Sequence, residues 1–362
     1  MDSRGRFEEL RELCTAAGDK VSLAIGMTAL AADLCYAART REAADVASEQ
    51  MALLEAIDDP APTMGLSFLA FVNWIGVGEF GEILRWSRII VDLAAGDPDR
   101  GAGFGMGSPL AIALAWRGTA QWWLGHPGWR LDLQDSIALA RRSNPETLSG
   151  AVAWTYGFAI QYGVLRTSAY VVRVSADAVQ TAERASSDRA LGLAAYTLAV
   201  ALLNRDDASD RARGLELMMR ARGVWLRKRA QFLIPVTDLW AARETARRGD
   251  VDTAIETARQ AVTELRRAGN LFYGLWGTGI FVETLLQRGT DADVAEAREA
   301  IDSLVDLPAD SPVCQIMLLR MHTLLARASG DEPTYRDRRD RYRAMAKSRG
   351  FEGHLAWAET LP

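Results

Sequence analysis

Hydrophobic and polar positions along the chain alternate in blocks rather than residue by residue. Apolar, aromatic-rich segments such as LAFVNWI, AQWWL, LAAYTLAVALL and GIFVETLLQ each run into a short polar or glycine-containing break, and each break opens a more charged segment. The charged segments have helical spacing. After Gly249, the residues Val251, Ala254, Ile255, Ala258, Ala261, Val262 and Leu265 form one apolar stripe on a helix whose other faces hold Glu256, Arg259, Glu264 and Arg266. Ile83, Trp86, Ile90 and Leu93 repeat the pattern, as do Val294, Ala297, Ile301 and Leu304. Period-two alternation is nearly absent, and the run from Val171 to Val174 is the only one that suggests a strand.

The breaks keep a rhythm. Those at Gly249, Gly289 and Gly330 lie 40 and 41 residues apart, and earlier ones fall near Thr40, Gly78, Gly125, Arg166 and Asp207. A helix pair of this length cannot bury its apolar stripe alone, so successive pairs must stack on one another. The predicted fold is all-α, an α-solenoid of about eight TPR-like helix-turn-helix repeats with a period of about 40, in a single array over residues 1–362. Residues 1–95 hold the N-terminal repeats, 96–109 a glycine-rich loop between repeats, 110–230 the aromatic-rich centre and 231–362 the C-terminal repeats. GRFEEL reads as the second helix of a repeat whose first helix is missing, which would leave Phe7, Leu10 and Leu13 as an uncovered strip.

The segment GVGEFG, Gly76 to Gly81, spells a nucleotide-cradling glycine loop, in which glycine lets backbone amides approach phosphate. Its partners are missing. A kinase loop needs a strand lysine downstream, yet no lysine occurs between Lys20 and Lys228, and neither HRD nor DFG appears. A dinucleotide loop needs a preceding strand, and the flanks here are helical. The periodicity assigns the segment to the turn inside a repeat, with Phe80 tucked under the following helix.

Composition narrows the chemistry. The net charge is -5 and the pI about 5.5, which argues against a nucleic-acid or anionic-membrane surface. Arginine supplies all but three of the 42 basic residues. Cys14, Cys35 and Cys314 are odd in number and widely spaced, so they build neither a disulfide framework nor a zinc pattern and suit a reducing cytoplasm. The start MDSRGRFEELRELC has no signal-peptide pattern, and the long apolar runs read as interrupted by charge, so no membrane span is expected. His126, His322 and His354 sit in different repeats without further ligands at metal spacing, and neither a metal nor another cofactor is expected.

Eleven tryptophans remain to be placed. Most belong in the core between helices, but several gather beside the glycine-rich loop Gly101 to Gly107 on first helices, which in superhelical arrays face the concave side. The candidate binding residues are Gly103 and Gly105 of the loop, with Trp116, Arg117, Trp122, Trp123, Trp154 and Tyr156. A ligand there would stack on the rings while loop amides or Arg117 hold its polar end. The expected partner is a protein or peptide segment, or a small-molecule effector.

The stretches SPLAIALAWRGTAQWWLGHPGWRLDL, RARGLELM, IFVETLLQRG and YRDRRDRYRAMAKSRGFEGHLAWAETLP together resemble the C-terminal helical-repeat region of large actinobacterial regulators. Those regulators join a tetratricopeptide-like array to a signalling ATPase and to an adenylate/guanylate cyclase or LuxR-type DNA-binding domain. The resemblance spans about Gly96 to Pro362 and implies a sensor or interaction region in a signalling protein. Neither the cyclase's metal-binding aspartates nor the ATPase's P-loop has a counterpart here, so no catalysis is expected of these residues. Magnesium-ATP and dinucleotides should accordingly give no heat of binding in titration calorimetry. A micromolar complex lost on Gly78→Ala would overturn the turn assignment of GVGEFG.

Overall fold

The computed structural model describes residues 3–305 and 307–362; the chain is 80% helical, with no strand among the described residues. An opening helix α1 (Ser3–Ala17) precedes eight helix pairs. They are α2 (Lys20–Tyr36) with α3 (Thr40–Glu55), α4 (Pro60–Val77) with α5 (Phe80–Ala94), and α6 (Pro109–Leu124) with α7 (Trp129–Ala140). In the fourth, α8 (Pro145–Val152) runs through a π-turn (Ala153–Gly157) into α9 (Phe158–Gln161) and packs beside α10 (Ala169–Arg184). Then come α11 (Asp188–Leu203) with α12 (Ala208–Arg227), α13 (Ile234–Arg247) with α14 (Val251–Arg267), α15 (Leu271–Arg288) with α16 (Asp291–Asp302), and α17 (Pro312–Ala328) with α18 (Glu332–Arg349). A short helix, α19 (Glu352–Glu359), follows.

All eight sequence breaks fall at or beside the turn inside a pair. Local chemistry sets the ends. Side chains of Asp59, Ser108, Asn144, Ser187, Asn270 and Ser311 accept hydrogen bonds from backbone N–H groups of the first helical turns, and proline follows four of them at the first helical position. GVGEFG is such a turn: Gly78 ends α4 in the left-handed conformation at φ 86°, and Phe80 opens α5 buried to 1% exposure. Val171 to Val174 lies in helix α10, where Val171 and Val174 belong to its buried stripe. On α1, Phe7 is buried with Met27 and Leu30 of α2, whereas Leu13 is exposed.

The second helices are amphipathic, and their inward stripes are buried; Ala254, Ile255, Ala258, Ala261, Val262 and Leu265 of α14 all lie in the core. Several first helices, α4, α6, α11 and α15 above all, are buried nearly all round. For α4 this matters twice, because its 18 residues contain no charge, contrary to the expectation that charge interrupts every long apolar run. Length and composition alone would let it cross a membrane, yet 78% of it is buried inside the protein as a central helix.

The array winds tightly enough to meet itself. Tyr36 at the end of α2 stacks on Phe232, just before α13, with ring centroids 6.1 Å apart. Helix α4 touches α15, and α6 touches α17, where the Ser311 hydroxyl donates to the Trp123 carbonyl at 3.0 Å. Second-pair residues thus meet the seventh pair, and the third meets the eighth. The axis is filled with rings: Phe80 lies parallel on Trp123 at 4.1 Å, and Phe272 packs against Trp123 at 5.5 Å and Tyr162 at 4.8 Å. The Tyr162 hydroxyl donates to the Phe272 carbonyl.

Helix α19 docks on the turn after α9 through a close backbone approach. Gly163 has φ +65°, and a Cβ there would sit 2.6 Å from Trp357; a Cβ on Gly353 would sit 2.8 Å from the Gly163 Cα. The backbone N–H of His354 donates to the Gly163 carbonyl at 2.9 Å, and its Nδ1 meets the Tyr342 hydroxyl at 2.8 Å. Burial, reinforced by nearby Arg320, pushes the His354 imidazole down to a pKa of about 3 from an ordinary 6.5. The unfolded chain therefore binds a proton that the folded chain rejects between these values. The native state should lose up to about 1.4 kcal/mol per pH unit from this group as pH falls from about 6.5 toward about 3. Urea unfolding of the wild type and His354→Asn across this range should show a steeper decline in the wild type; equal slopes would refute the assignment.

Candidate functional site

Where the first pairs meet the fifth to seventh, the rings do not fill the interior. They leave a partly enclosed cavity of about 90 Å³ whose walls come from α2, α4, α6, the π-turn, α11, α12 and α15. Its lining is mainly apolar and aromatic, with Trp116, Trp154, Phe158, Trp225 and Phe232 contributing rings. Trp116 sits at 5.2 Å from Trp154 and 6.0 Å from Phe158. The π-turn contributes Ala153 and Trp154 to this wall. The Trp154 carbonyl, released from regular helical pairing, accepts from the Thr119 hydroxyl at 2.7 Å.

The polar atoms in this wall are the unusual feature. Asn73, in the last third of α4, is 2% exposed, and neither its Oδ1 nor its Nδ2 has a hydrogen-bond partner among the described residues. The indole N–H groups of Trp116 and Trp225 are also unpaired. Each orphaned polar group costs about 1–3 kcal/mol relative to a paired one. Nearby, the Tyr196 hydroxyl donates to the Gln161 side-chain carbonyl, whose amide nitrogen is left without a partner. At the rim, the exposed Arg189 lies over the Phe68 ring at 5.4 Å and, among the described residues, has no carboxylate within 4 Å.

The ionisable groups in the wall are held neutral. Burial pushes the Cys35 thiol up to about 12 and the Tyr273 phenol well above its ordinary value, and Tyr196 is raised for the same reason. A thiol so raised is a poor nucleophile, and phenols so raised are poor bases at neutral pH. The arrangement suits binding through shape and hydrogen bonds.

The sequence-expected residues separate into groups. Trp116 and Trp154 line the cavity. Trp122 and Trp123 are each 1% exposed and pack with Tyr162 in the axial core. Tyr156 points to the second-helix layer, edge-on to Tyr170 at 6.4 Å. Arg117 is engaged by Asp132 in a two-pronged ion pair at 2.6 and 2.7 Å. Gly103 and Gly105 are exposed; their loop packs on α4, with the Gly101 carbonyl and Phe104 so close to Gly65 that a Cβ there would meet them at 2.5 and 2.4 Å. Asn73, Arg189, Tyr196, Trp225, Phe232 and Tyr273 were not among the expected site residues. Asn73 alone had a signal, as a carboxamide inside an uncharged, mainly apolar first helix.

With this geometry in place, the likeness to solved structures is informative. A Rap protein complexed with Competence and Sporulation Factor superposes with a TM-score of 0.60, covering 95% of this chain and 90% of that chain at 12% identity. The fold is a TPR-like helical array. Yeast Tom70 covers 98% of this chain and 87% of its own at 12% identity, with a TM-score of 0.41. No family model matches the chain, and no curated protein matches its sequence. The likeness to the Rap protein concerns the repeat fold, and nothing in these comparisons supports the cyclase–ATPase parentage expected from the sequence.

Two substitutions separate wall from core. Trp123→Ala should cost about 3–5 kcal/mol, because the ring is locked between Phe80, Tyr162 and Phe272. Asn73→Leu should raise stability by about 1–3 kcal/mol by removing the orphaned carboxamide at similar volume. Denaturant unfolding reads both, and a loss of stability in Asn73→Leu would make the carboxamide a structural group.

Proposed function

We propose that the chain is a non-catalytic TPR-like binding scaffold of a signalling regulator, recognising a protein or peptide segment whose apolar anchor enters the interior cavity. The Asn73 carboxamide is the observation that carries this reading. It offers one free donor and one free acceptor inside an apolar wall, the complement of a peptide unit's own N–H and C=O. The Trp116 and Trp225 indoles add donors for a second carbonyl, and Arg189 at the rim is placed for a carboxylate. A natural chain that keeps such costly unpaired groups trades stability for a ligand that satisfies them. The Rap protein's complex with Competence and Sporulation Factor adds fold-level support for a binding role. The resemblance of the C-terminal stretches to cyclase–ATPase regulators supports the signalling setting, and the three unpaired cysteines support a cytoplasmic one.

A free small-molecule effector is the second reading, favoured by the enclosure of the cavity. One experiment separates the two. Short peptides bearing a single leucine or phenylalanine and a free carboxylate are titrated against the full chain, beside the matching N-acetyl amino-acid amides, with indole fluorescence from Trp116, Trp154 and Trp225 as the readout. Peptide binding weakened at least tenfold by Asn73→Leu and several-fold by Arg189→Gln is expected. Binding of the amides alone would select the small-effector reading, and a peptide affinity indifferent to Asn73→Leu would overturn the site.

A further inference from the structure

The repeat brings a second set of groups together, away from the aromatic cavity. Asn204, which caps the end of α11, and Arg243, Glu283 and Arg320 of α13, α15 and α17 lie 39, 40 and 37 residues apart. They form a row of two contacting pairs. Arg243 donates to the Asn204 carboxamide oxygen at 3.3 Å, Arg320 pairs with Glu283, and the Arg320 guanidinium stacks over Trp357 of α19 at 4.6 Å. The row forms one wall of an open pocket of about 680 Å³ that is closed at one end by Trp357, Thr360 and Leu361.

Charge in this pocket is unbalanced. Five guanidiniums, those of Arg205, Arg243, Arg247, Arg320 and Arg327, line it against the carboxylates of Asp206 and Glu283. Glu283 is already engaged by Arg320, and Arg205 turns to Asp210 at 3.0 Å. Arg247 shares Glu244 with Arg211 and Arg248, at 3.7, 3.5 and 3.3 Å, so one carboxylate serves three cations. Among the described residues Arg243 and Arg327 have no carboxylate within 4 Å; Arg243 meets the neutral Asn204 and the face of Trp240 at 5.6 Å. Burial first, then the neighbouring Arg247 and Arg320, push Arg243 down to a pKa of about 9 against the opposing pull of Glu283.

We propose that this arginine pocket is an anion-binding site for a small phosphate-bearing ligand. Arg243, Arg247 and Arg327 all line it, Arg247 with one nitrogen also donating to the Leu203 carbonyl at 2.8 Å, and guanidinium forks pair two-pronged with phosphate oxygens. A phosphate group brings close to two negative charges, which a single carboxylate does not. Trp357 and Leu286 give an apolar flank for the remainder of the ligand. The site shares no lining residue with the aromatic cavity, so it stands or fails independently of the peptide-binding reading.

The test uses the full chain with pyrophosphate, inorganic phosphate and succinate, each against sodium chloride at equal ionic strength. Pyrophosphate should raise the melting temperature by several degrees and change the Trp357 emission, with phosphate weaker and succinate weaker still. Arg243→Gln together with Arg327→Gln should weaken pyrophosphate at least tenfold while leaving the melting temperature without ligand unchanged or higher, since both remove uncompensated charge. Should the double variant fail to fold, Arg327→Gln alone, at an exposed position, should still lose several-fold. A pyrophosphate effect no greater than that of chloride, or one equal in wild type and variants, overturns the proposal. A succinate effect exceeding that of pyrophosphate overturns the phosphate assignment.

Discussion

The interior depends on the packing of Phe272 against Trp123 and Tyr162. These rings come from the seventh, third and fourth pairs, so their contact closes the superhelix on itself. A solenoid held only by neighbouring repeats keeps an open concave groove, because each pair touches only the next. Here the first helices carry aromatic residues large enough to reach across the axis. Hydrophobic burial and ring packing then favour a closed turn over an open one. Ser311 on Trp123 and Arg130 on Gly350 and Glu352 repeat the closure further along, with single hydrogen bonds in place of a ring cluster.

Closure divides the concave side into unlike regions. Where bulky rings meet, the interior is solid. Where α2 and α4 face α11, α12 and α15, the rings do not mesh completely, and polar atoms of Asn73, Trp116 and Trp225 are trapped beside the gap. On the last three first helices the same inward position is occupied by Arg243, Glu283 and Arg320, which cannot close over one another without burying unpaired charge. The groove therefore stays open there. A repeat architecture makes this economical, since a change at one position of the forty-residue period moves a side chain along the axis without altering the stacking of pairs.

The fold was legible because stacking of helix pairs leaves a one-dimensional signature. Breaks at Gly78, Gly249, Gly289 and Gly330 mark real turns, and the stripe on α14 is the buried stripe. What the sequence could not show was the partner each buried face meets. The pattern around Trp122, Trp123 and Trp154 is alike in all three cases: an aromatic residue on a first helix. Yet two of these rings lie in the axial core and one lines a cavity, and the difference is set by residues from other pairs, as far off as Phe272 for Trp123. The π-turn at Ala153–Gly157 is similarly silent, being a consequence of packing rather than of composition. Arg117 looked like a free cation because its partner Asp132, fifteen residues on, lies on the facing helix α7. Asn73 could have been found by treating a carboxamide in an uncharged, mainly apolar helix as a question about its hydrogen bonds.

The position of the cavity adds one consequence. Its walls belong to both sides of the seam, Tyr36, Asn73 and Gly76 on one side and Tyr196, Phe232 and Tyr273 on the other. A group bound between them touches both, whereas in an opened array it would keep at most one set of contacts. By linkage, the free energy of such binding adds to the closed state and to no other. The aromatic axis sets how firmly the array is closed by itself, and the unmatched atoms around Asn73 leave that closure incomplete. Recognition and shape are therefore not separate properties in this fold, because the contacts that would satisfy the wall are the contacts that would hold the first and seventh pairs together.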